Sequence, residues 1–429
     1  MQLCKVNLLK LACSAALSIV VSPTLVHAQK AAPSVNWDQT NAINLVTVGL
    51  AGTGGDDTDV IQHAINLSSA MGKPLQIPAS AVAYNIGPLT IPSNTAITFD
   101  PGVVMQARSG LGSTQKLINI AGVSNVQIKG SQTVFQMRKS EYQSGEYRHC
   151  LDIEGSSDIN ISSISCNSSG GDGLYIGAGA SSYSSNISIS DSSFTDNRRQ
   201  GMTIISGVNI TITRCSFNAT QGTAPADGID IEPNSPNDRL QNILIQDSTT
   251  SGNAGHGVAV DVRNLNASSV PVSIQIQRHS SSKNRGSGYY ATNENSGSNG
   301  ATGSIIITDS SSSLDSQYGA VASFYGASGP ALVFQNLNVT DPNQSKTTYD
   351  NSAISVKRGG GGQGLIGNVY FLNTSISSTT GTLDTYFSFW DYSYIGFTKV
   401  QMLDAASLVG AKRQTGILQG QSVLSVNIP

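Results

Sequence analysis

Gly228-Ile-Asp-Ile-Glu232 and Gly257-Val-Ala-Val-Asp261 carry one short pattern, a glycine followed by apolar residues at every second position. The pattern appears earlier as Cys150-Leu-Asp-Ile-Glu154, Gly173-Leu-Tyr-Ile-Gly177 and Gly201-Met-Thr-Ile-Ile205. It continues later as Gly288-Tyr-Tyr-Ala-Thr292 and Gly319-Ala-Val-Ala-Ser323. The starts, 150, 173, 201, 228, 257, 288 and 319, lie 23 to 31 residues apart. Period-two alternation marks a strand with one buried face. After most copies comes a second strand headed by asparagine: Asn186-Ile-Ser-Ile-Ser190, Asn209-Ile-Thr-Ile-Thr213 and Asn242-Ile-Leu-Ile-Gln246. Two or three short strands per repeat, with no helical period between them, predict a coil of parallel strands. Each turn then stacks on the last at about 4.8 Å. Leucine-rich and helical solenoids are excluded, because neither of their patterns occurs.

The expected fold is therefore all-β, a right-handed parallel β-helix, and its ends need caps to cover the core and the strand edges. Gly54-Gly-Asp-Asp-Thr58 followed by Val60, Ile61, Ala64 and Ile65 predicts a short amphipathic capping helix with Asp or Thr at its N-cap. Leu75-Gln-Ile-Pro78 and Ala96-Ile-Thr-Phe99 read as the first strands. The repeat predicts a cap over about 41–70, coil over 71–385, and last turns or a cap over 386–429. The register blurs after residue 324, where Gly359 to Gly362 form a glycine run and Tyr386-Phe-Ser-Phe-Trp-Asp-Tyr392 reads as core packing at the end.

The chain starts with Lys5 and Lys10, an apolar run over 11–21, and Val26-His27-Ala28. That order predicts a secretory signal peptide over 1–28, cleaved after Ala28, and a secreted or periplasmic single domain over 29–429. No later apolar run reaches the about 20 residues that span a bilayer. With a net charge of −3 and 12 % charged residues, the chain has no clustered Lys and Arg for nucleic acid or an anionic membrane. Cys150, Cys166 and Cys215 fit no zinc spacing and read as buried thiols, with a Cys150–Cys166 bridge left open. The oligomeric state, monomer or trimer, has no sequence handle.

The Gly54-Gly-Asp-Asp-Thr58 helix start, with Ile77-Pro78 followed by Tyr84-Asn85-Ile86, resembles the opening of pectin-lyase-like β-helix proteins, and the resemblance extends over about 41–324. It implies the same fold and leaves hydrolase, lyase, epimerase and tailspike functions open. Asp172-Gly-Leu174, Asp227-Gly-Ile-Asp230 and Gly255-His256-Gly257 are similar to the strands of polygalacturonase-type glycoside hydrolases. That similarity implies Asp227 as a catalytic carboxylate and His256 as an assisting neighbour. The chain departs from the family at Pro225-Ala226, which stand where Asn-Thr is usual, and it has neither an adjacent Asp pair nor a following R-x-K strand. Galacturonan is not implied as the substrate.

If Ile229 and Ile231 point inward, Asp230 and Glu232 point outward. Stacking the copies builds three outer rows. The first is His149, Asp172, Gln200, Asp227, His256, Ser287; the second is Asp152, Tyr175, Thr203, Asp230, Ala259, Tyr290; the third is Glu154, Gly177, Ile205, Glu232, Asp261. With Arg198, Arg199 and Arg263 beside them, seven acids, two histidines and three arginines share five turns of a chain that is only 12 % charged. Glycosidic cleavage needs one carboxylic acid for the leaving oxygen and one carboxylate for water or the sugar. Side chains two apart on a strand sit about 6–7 Å apart, close to the range for an inverting pair. Asp227 and Asp230 are the leading catalytic pair, with Asp172 and His256 next. Arg199, Gln200, Tyr175, Glu232, Asp261, Arg263, His149 and Asp152 are expected to contact substrate.

The leading expectation is a glycoside hydrolase acting on a polysaccharide without cofactor. A lyase or C5-epimerase would use Arg199 or Arg263 against a uronate and His256, His149 or Tyr175 on the C5 proton. That reading admits Ca²⁺ on Asp230, Glu232 and Asp261. A non-catalytic polysaccharide-binding or surface β-helix is the third alternative. The charged stretch Arg138-Lys139…Glu141…Glu146-Tyr147-Arg148-His149 reads as a loop beside the first rung.

Overall fold

The asparagines that head the second strands adopt a left-handed backbone, φ 54° at Asn186, 58° at Asn209 and 52° at Asn242. Asn tolerates this conformation, which bends the chain into its next wall. Their side-chain amides also stack: Asn242 Nδ2 donates to Asn209 Oδ1, Asn209 Nδ2 to Asn186 Oδ1, and Asn186 Nδ2 to Asp158, each at 3.0 Å. One residue type thus makes the corner and ties it to the next turn.

The structure, a computed structural model, describes residues 38–391 apart from 182, 294–299, 327, 349–350 and 359–366, and beyond them 398–403, 408–409 and 415–418. It is a right-handed parallel β-helix. Among the described residues, one wall is a 12-stranded parallel sheet, the site sheet, which includes Leu151–Glu154, Leu174–Gly177, Met202–Ile204, Ile229–Ile231 and Val258–Asp261. The remaining described strands form a 23-stranded array of two arms. Ser124–Gln136 and Ser157–Asn167 run through the bend between the arms, with a register shift beside Ser163. In later turns separate strands such as Ser184–Ser190 and Ser193–Thr195 take the two arms.

The core is a set of stacked like residues. Ile159 and Ile161 pair with Ile187 and Ile189, those with Ile210 and Ile212, and those with Ile243 and Ile245. All are at most 1 % exposed. Phe194 and Phe217 stack with centroids 5.2 Å apart, as do Phe334 and Phe371 at 5.0 Å. Inward on the site sheet, Leu151, Leu174, Met202 and Ile229 are in register.

The helix Thr58–Met71 closes one end, burying Ile61, Ala64 and Ile65 against the first turns. Its expected side-chain cap is built differently. Asp57 occupies the N-cap but turns its carboxylate to the Gly52 and Asn85 N–H groups, while Asp56 accepts from Thr58 N–H. Asp57 therefore ties the helix to the first coil instead of capping it.

Two further expectations change. Cys150 and Cys166 are bonded, Cα atoms 5.9 Å apart, because both point into the same turn; among the described residues Cys215 is the one free thiol, and it is buried. The coil does not fade after residue 324: Ala320 pairs with Ile354, Ile354 with Phe387, and Phe387 with Thr415. Phe387 packs on Phe371, whereas the Trp390 side chain, Tyr392 and the expected signal peptide lie outside the described residues.

Phe217→Ala removes one ring of the Phe194–Phe217 stack and opens a cavity between Phe194 and Thr250 of the adjoining turns. It is expected to cost about 3–5 kcal/mol, read as a lowered urea midpoint. An unchanged midpoint would mean that the stack does not hold the coil.

Candidate functional site

Register in the site sheet places the middle row as Asn119, Asp152, Tyr175, Thr203, Asp230, Ala259, Tyr290. The row two residues before each first inward residue reads Lys116, His149, Asp172, Gln200, Asp227, His256, Ser287. Its turns are tied by backbone bonds such as Gly201 N–H to Asp227 O and Gly228 N–H to His256 O. The rows read from the sequence are thus assembled, with Lys116 added at one end.

This face is not open to water as alternation alone suggests. Asp152 and Asp172 are 0 % exposed, Asp227 1 % and Asp230 2 %. The cover is made by side chains. The Arg199 guanidinium stands 3.6 Å from Asp172, 3.3 Å from Glu146 of the charged loop and 4.0 Å from Glu232. It therefore spans diagonally across the row at Thr203, itself 0 % exposed. Lys116 sits 3.4 Å from Asp152 and 3.7 Å from Glu154 at the next rungs.

Beneath this cover Gln200 is a bridge. Its Oε1 accepts the Asp227 N–H at 2.6 Å, and its Nε2 donates to Asp230 Oδ2 at 2.7 Å. Asp227 Oδ1 accepts the His256 N–H. A Cβ on Gly255 would collide with that same oxygen, so the close approach depends on glycine. Neither oxygen of Asp152 or Asp172 receives a hydrogen bond. Buried carboxylates without donors are costly, and they answer by holding their protons.

Burial, reinforced by Glu154 and opposed by Lys116, pushes Asp152 up to about 7. Burial lifts Asp172 to about 6 against the pull of Arg199. Asp227 rises to about 7 for the same reason, opposed by the His256 N–H and Arg199. Asp230 is raised well above the carboxylate range, by burial first and then by the neighbouring charges of Asp227 and Glu232.

The histidines are held neutral. His149 Nδ1 accepts the Asp172 N–H at 2.9 Å and His256 Nδ1 accepts the Ser287 N–H at 2.8 Å. Each therefore carries its proton on Nε2. Burial lowers His149 to about 3 and His256 to about 4, helped by Lys116 and Lys357 respectively. Each ring stacks on a tyrosine of the next turn, His149 on Tyr175 at 4.8 Å and His256 on Tyr290 at 4.5 Å.

Several expected substrate contacts are reassigned by this geometry. Gln200, Asp152 and His149 lie under the surface, and Gln200 and His149 hold neighbouring groups by hydrogen bonds. Asp261 is tied to Arg263 at 2.8 Å. Asp230, Glu232 and Asp261 therefore do not converge as a calcium site, and among the described residues no group of three or more His, Cys, Asp or Glu does so. Tyr175, Glu232, Arg199 and His256 remain partly exposed. Lys116 was missed because its turn, Leu117-Ile-Asn-Ile120, lacks the leading glycine; carrying the frame back one turn finds it.

No family model and no curated protein matches the sequence. Solved structures match the fold. An exopolygalacturonase from Thermotoga maritima aligns with a TM-score of 0.61 at 12 % identity, over 79 % of this chain and 87 % of that one. The A-module of a mannuronan C-5 epimerase from Azotobacter vinelandii gives 0.55 at 14 %, over 89 % and 100 %. A tailspike protein from an Acinetobacter baumannii bacteriophage, a capsular polysaccharide depolymerase, gives 0.53 at 14 %, over 82 % and 63 %. The chain has the right-handed parallel β-helix fold that these proteins share.

The raised Asp152 carboxyl has a consequence for stability. The folded protein holds this proton up to about 7, whereas the unfolded chain releases it near 3.8. The unfolded state binds fewer protons in that window, so the contribution of Asp152 to stability falls as pH rises through it. Asp152→Asn removes the titration, so its melting temperature relative to wild type is expected to be higher at about pH 8 than at about pH 4. The same offset at both values would refute the raised carboxyl.

Proposed function

We propose that the protein hydrolyses glycosidic bonds of a polysaccharide by acid–base chemistry at Asp227 and Asp230. The observation that carries this reading is the buried pair bridged through Gln200, with Asp227 raised to about 7 and Asp230 raised well above the ordinary carboxylate range. Two such groups do not ionise together readily, so the pair keeps one proton through neutral pH. Asp230 is the acid, with its hydrogen on Oδ1, because Gln200 donates to Oδ2. Asp227 ionises first, since the His256 N–H stabilises its charge.

In the proposed step, Asp230 gives its proton to the glycosidic oxygen while the bond from that oxygen to the anomeric carbon breaks. Water attacks the same carbon and passes a proton to Asp227, leaving one new reducing end. The pair lies under Arg199, so sugar entry requires that guanidinium to swing from Glu232, the longest of its three ion pairs at 4.0 Å. The related folds that act on polysaccharides support the substrate type without fixing the reaction.

The lyase and epimerase readings need a cation to neutralise a substrate carboxylate. They are less well supported because Arg199 is already shared among Glu146, Asp172 and Glu232. Secretion, through the signal peptide expected over residues 1–28, fits a polymeric substrate and is part of the proposal.

Incubation with a polysaccharide panel, following reducing ends and ultraviolet absorbance together, tests the reaction. Reducing ends without absorbance are expected, with kcat/KM reduced about 10²–10⁴-fold in Asp230→Asn and Asp227→Asn. Activity is expected to rise with pH through about 7 as Asp227 becomes the base. Absorbance rising with the reducing ends would replace hydrolysis by elimination.

A further inference from the structure

We infer that the groove over the site sheet takes an uncharged glycan and rejects polyuronates; this rests on reading that face as the substrate groove. The charges on the face decide it. Lys116 lies between Asp152 and Glu154. Arg199 lies among Glu146, Asp172 and Glu232. Arg263 folds onto Asp261. Arg198 donates to the Gly145 and Gln143 carbonyls. Lys357, farther along, stands over the Tyr318 ring at 4.9 Å.

A polyuronate brings a carboxylate on every sugar. It would meet the partly exposed acids Glu154, Glu232 and Asp261, whose neighbouring cations Lys116, Arg199 and Arg263 are already matched to protein carboxylates. Like charges brought together with partial loss of water repel strongly. A neutral sugar presents hydroxyl groups, which donate to carboxylates at no such cost, and apolar ring faces, which stack on aromatic side chains.

The face supplies partners for both. Two copies of one device, His149 on Tyr175 and His256 on Tyr290, flank the acid pair along the helix axis. In both copies Nδ1 is taken by a backbone N–H; the partly exposed His256 keeps its Nε2–H as a donor, whereas His149 is buried and backs the Tyr175 ring. The tyrosine of each copy is partly exposed. These are recognition groups without net charge, placed on both sides of the proposed cleavage point.

Affinity electrophoresis at low salt tests the inference, with polymers that differ in charge alone. Polygalacturonate and alginate are compared with their carboxyl-reduced forms, alongside neutral α-glucan, β-glucan, xylan and mannan. Retardation by at least one neutral polymer, at least tenfold stronger than by either polyuronate, is the expected result. Tyr175→Ala or Tyr290→Ala should weaken it severalfold, which locates the binding. Stronger retardation by a polyuronate, retardation by no polymer, or binding indifferent to both tyrosine substitutions would overturn the inference. Retardation by a neutral polymer without any new reducing ends would overturn the hydrolase reading and leave the substrate class standing. Hydrolysis of a polyuronate, with reducing ends and no absorbance, would do the reverse.

Discussion

Everything in this molecule depends on the backbone hydrogen bonds that run parallel from each turn to the next. They fix which residue of one turn lies over which residue of the following one, about 4.8 Å away. A one-residue slip would exchange the inner and outer sets of a strand, so the apolar core enforces the same register that the backbone bonds draw. Side chains reinforce it where the wall bends. The amides of Asn242, Asn209 and Asn186 form one ladder. Inside the coil, Asn253 donates to Asn284, which donates to Asp315, each at 2.9 Å.

The same stacking creates the electrostatics of the site. Residues that are distant in sequence, Asp172, Asp227 and Asp230, are brought onto neighbouring rungs and covered by Arg199, with Glu146 and Glu232 beside it. Burial then does what proximity alone would do less strongly, keeping protons on carboxyls that solvent would ionise. The imidazoles respond in the opposite direction to the same environment, because for them the neutral form is the deprotonated one. One desolvated strip thus raises its carboxyls and lowers its imidazoles together. That is an unusual combination for surface residues and a useful one for moving protons.

Much of this was legible in the sequence, because a period-two strand inside a longer period states both face and row. The order Asp152, Tyr175, Thr203, Asp230 needed only the alignment of Ile153, Ile176, Ile204 and Ile231. What alternation does not encode is cover. It assigns Asp230 to the outer face but says nothing of an arginine from the preceding turn or of Glu146 from a loop lying above it. The role of Gln200 was hidden for the same reason, since a glutamine in an outward row reads as a contact for solvent or sugar. The Cys150–Cys166 bond was indistinct because Cys166 sits at an inward apolar position, in register with Phe194, while Cys150 takes the place that glycine holds in later turns. The later turns were harder to see because their connections lengthen around the glycine run, while the paired strands Ser352–Arg358 and Thr385–Asp391 keep their register.

Because inward and outward residues alternate along every rung of the site sheet, the instructions for folding and those for chemistry are written in separate letters. Ile229 and Ile231 can stay constant while the residue between them changes. A whole turn, inserted in register, would lengthen every row by one step without disturbing the others. Such a wall can be revised one outward letter at a time or extended one line at a time. Ancestral duplication and laboratory redesign could therefore both work on the reactive surface while leaving its supporting grammar intact.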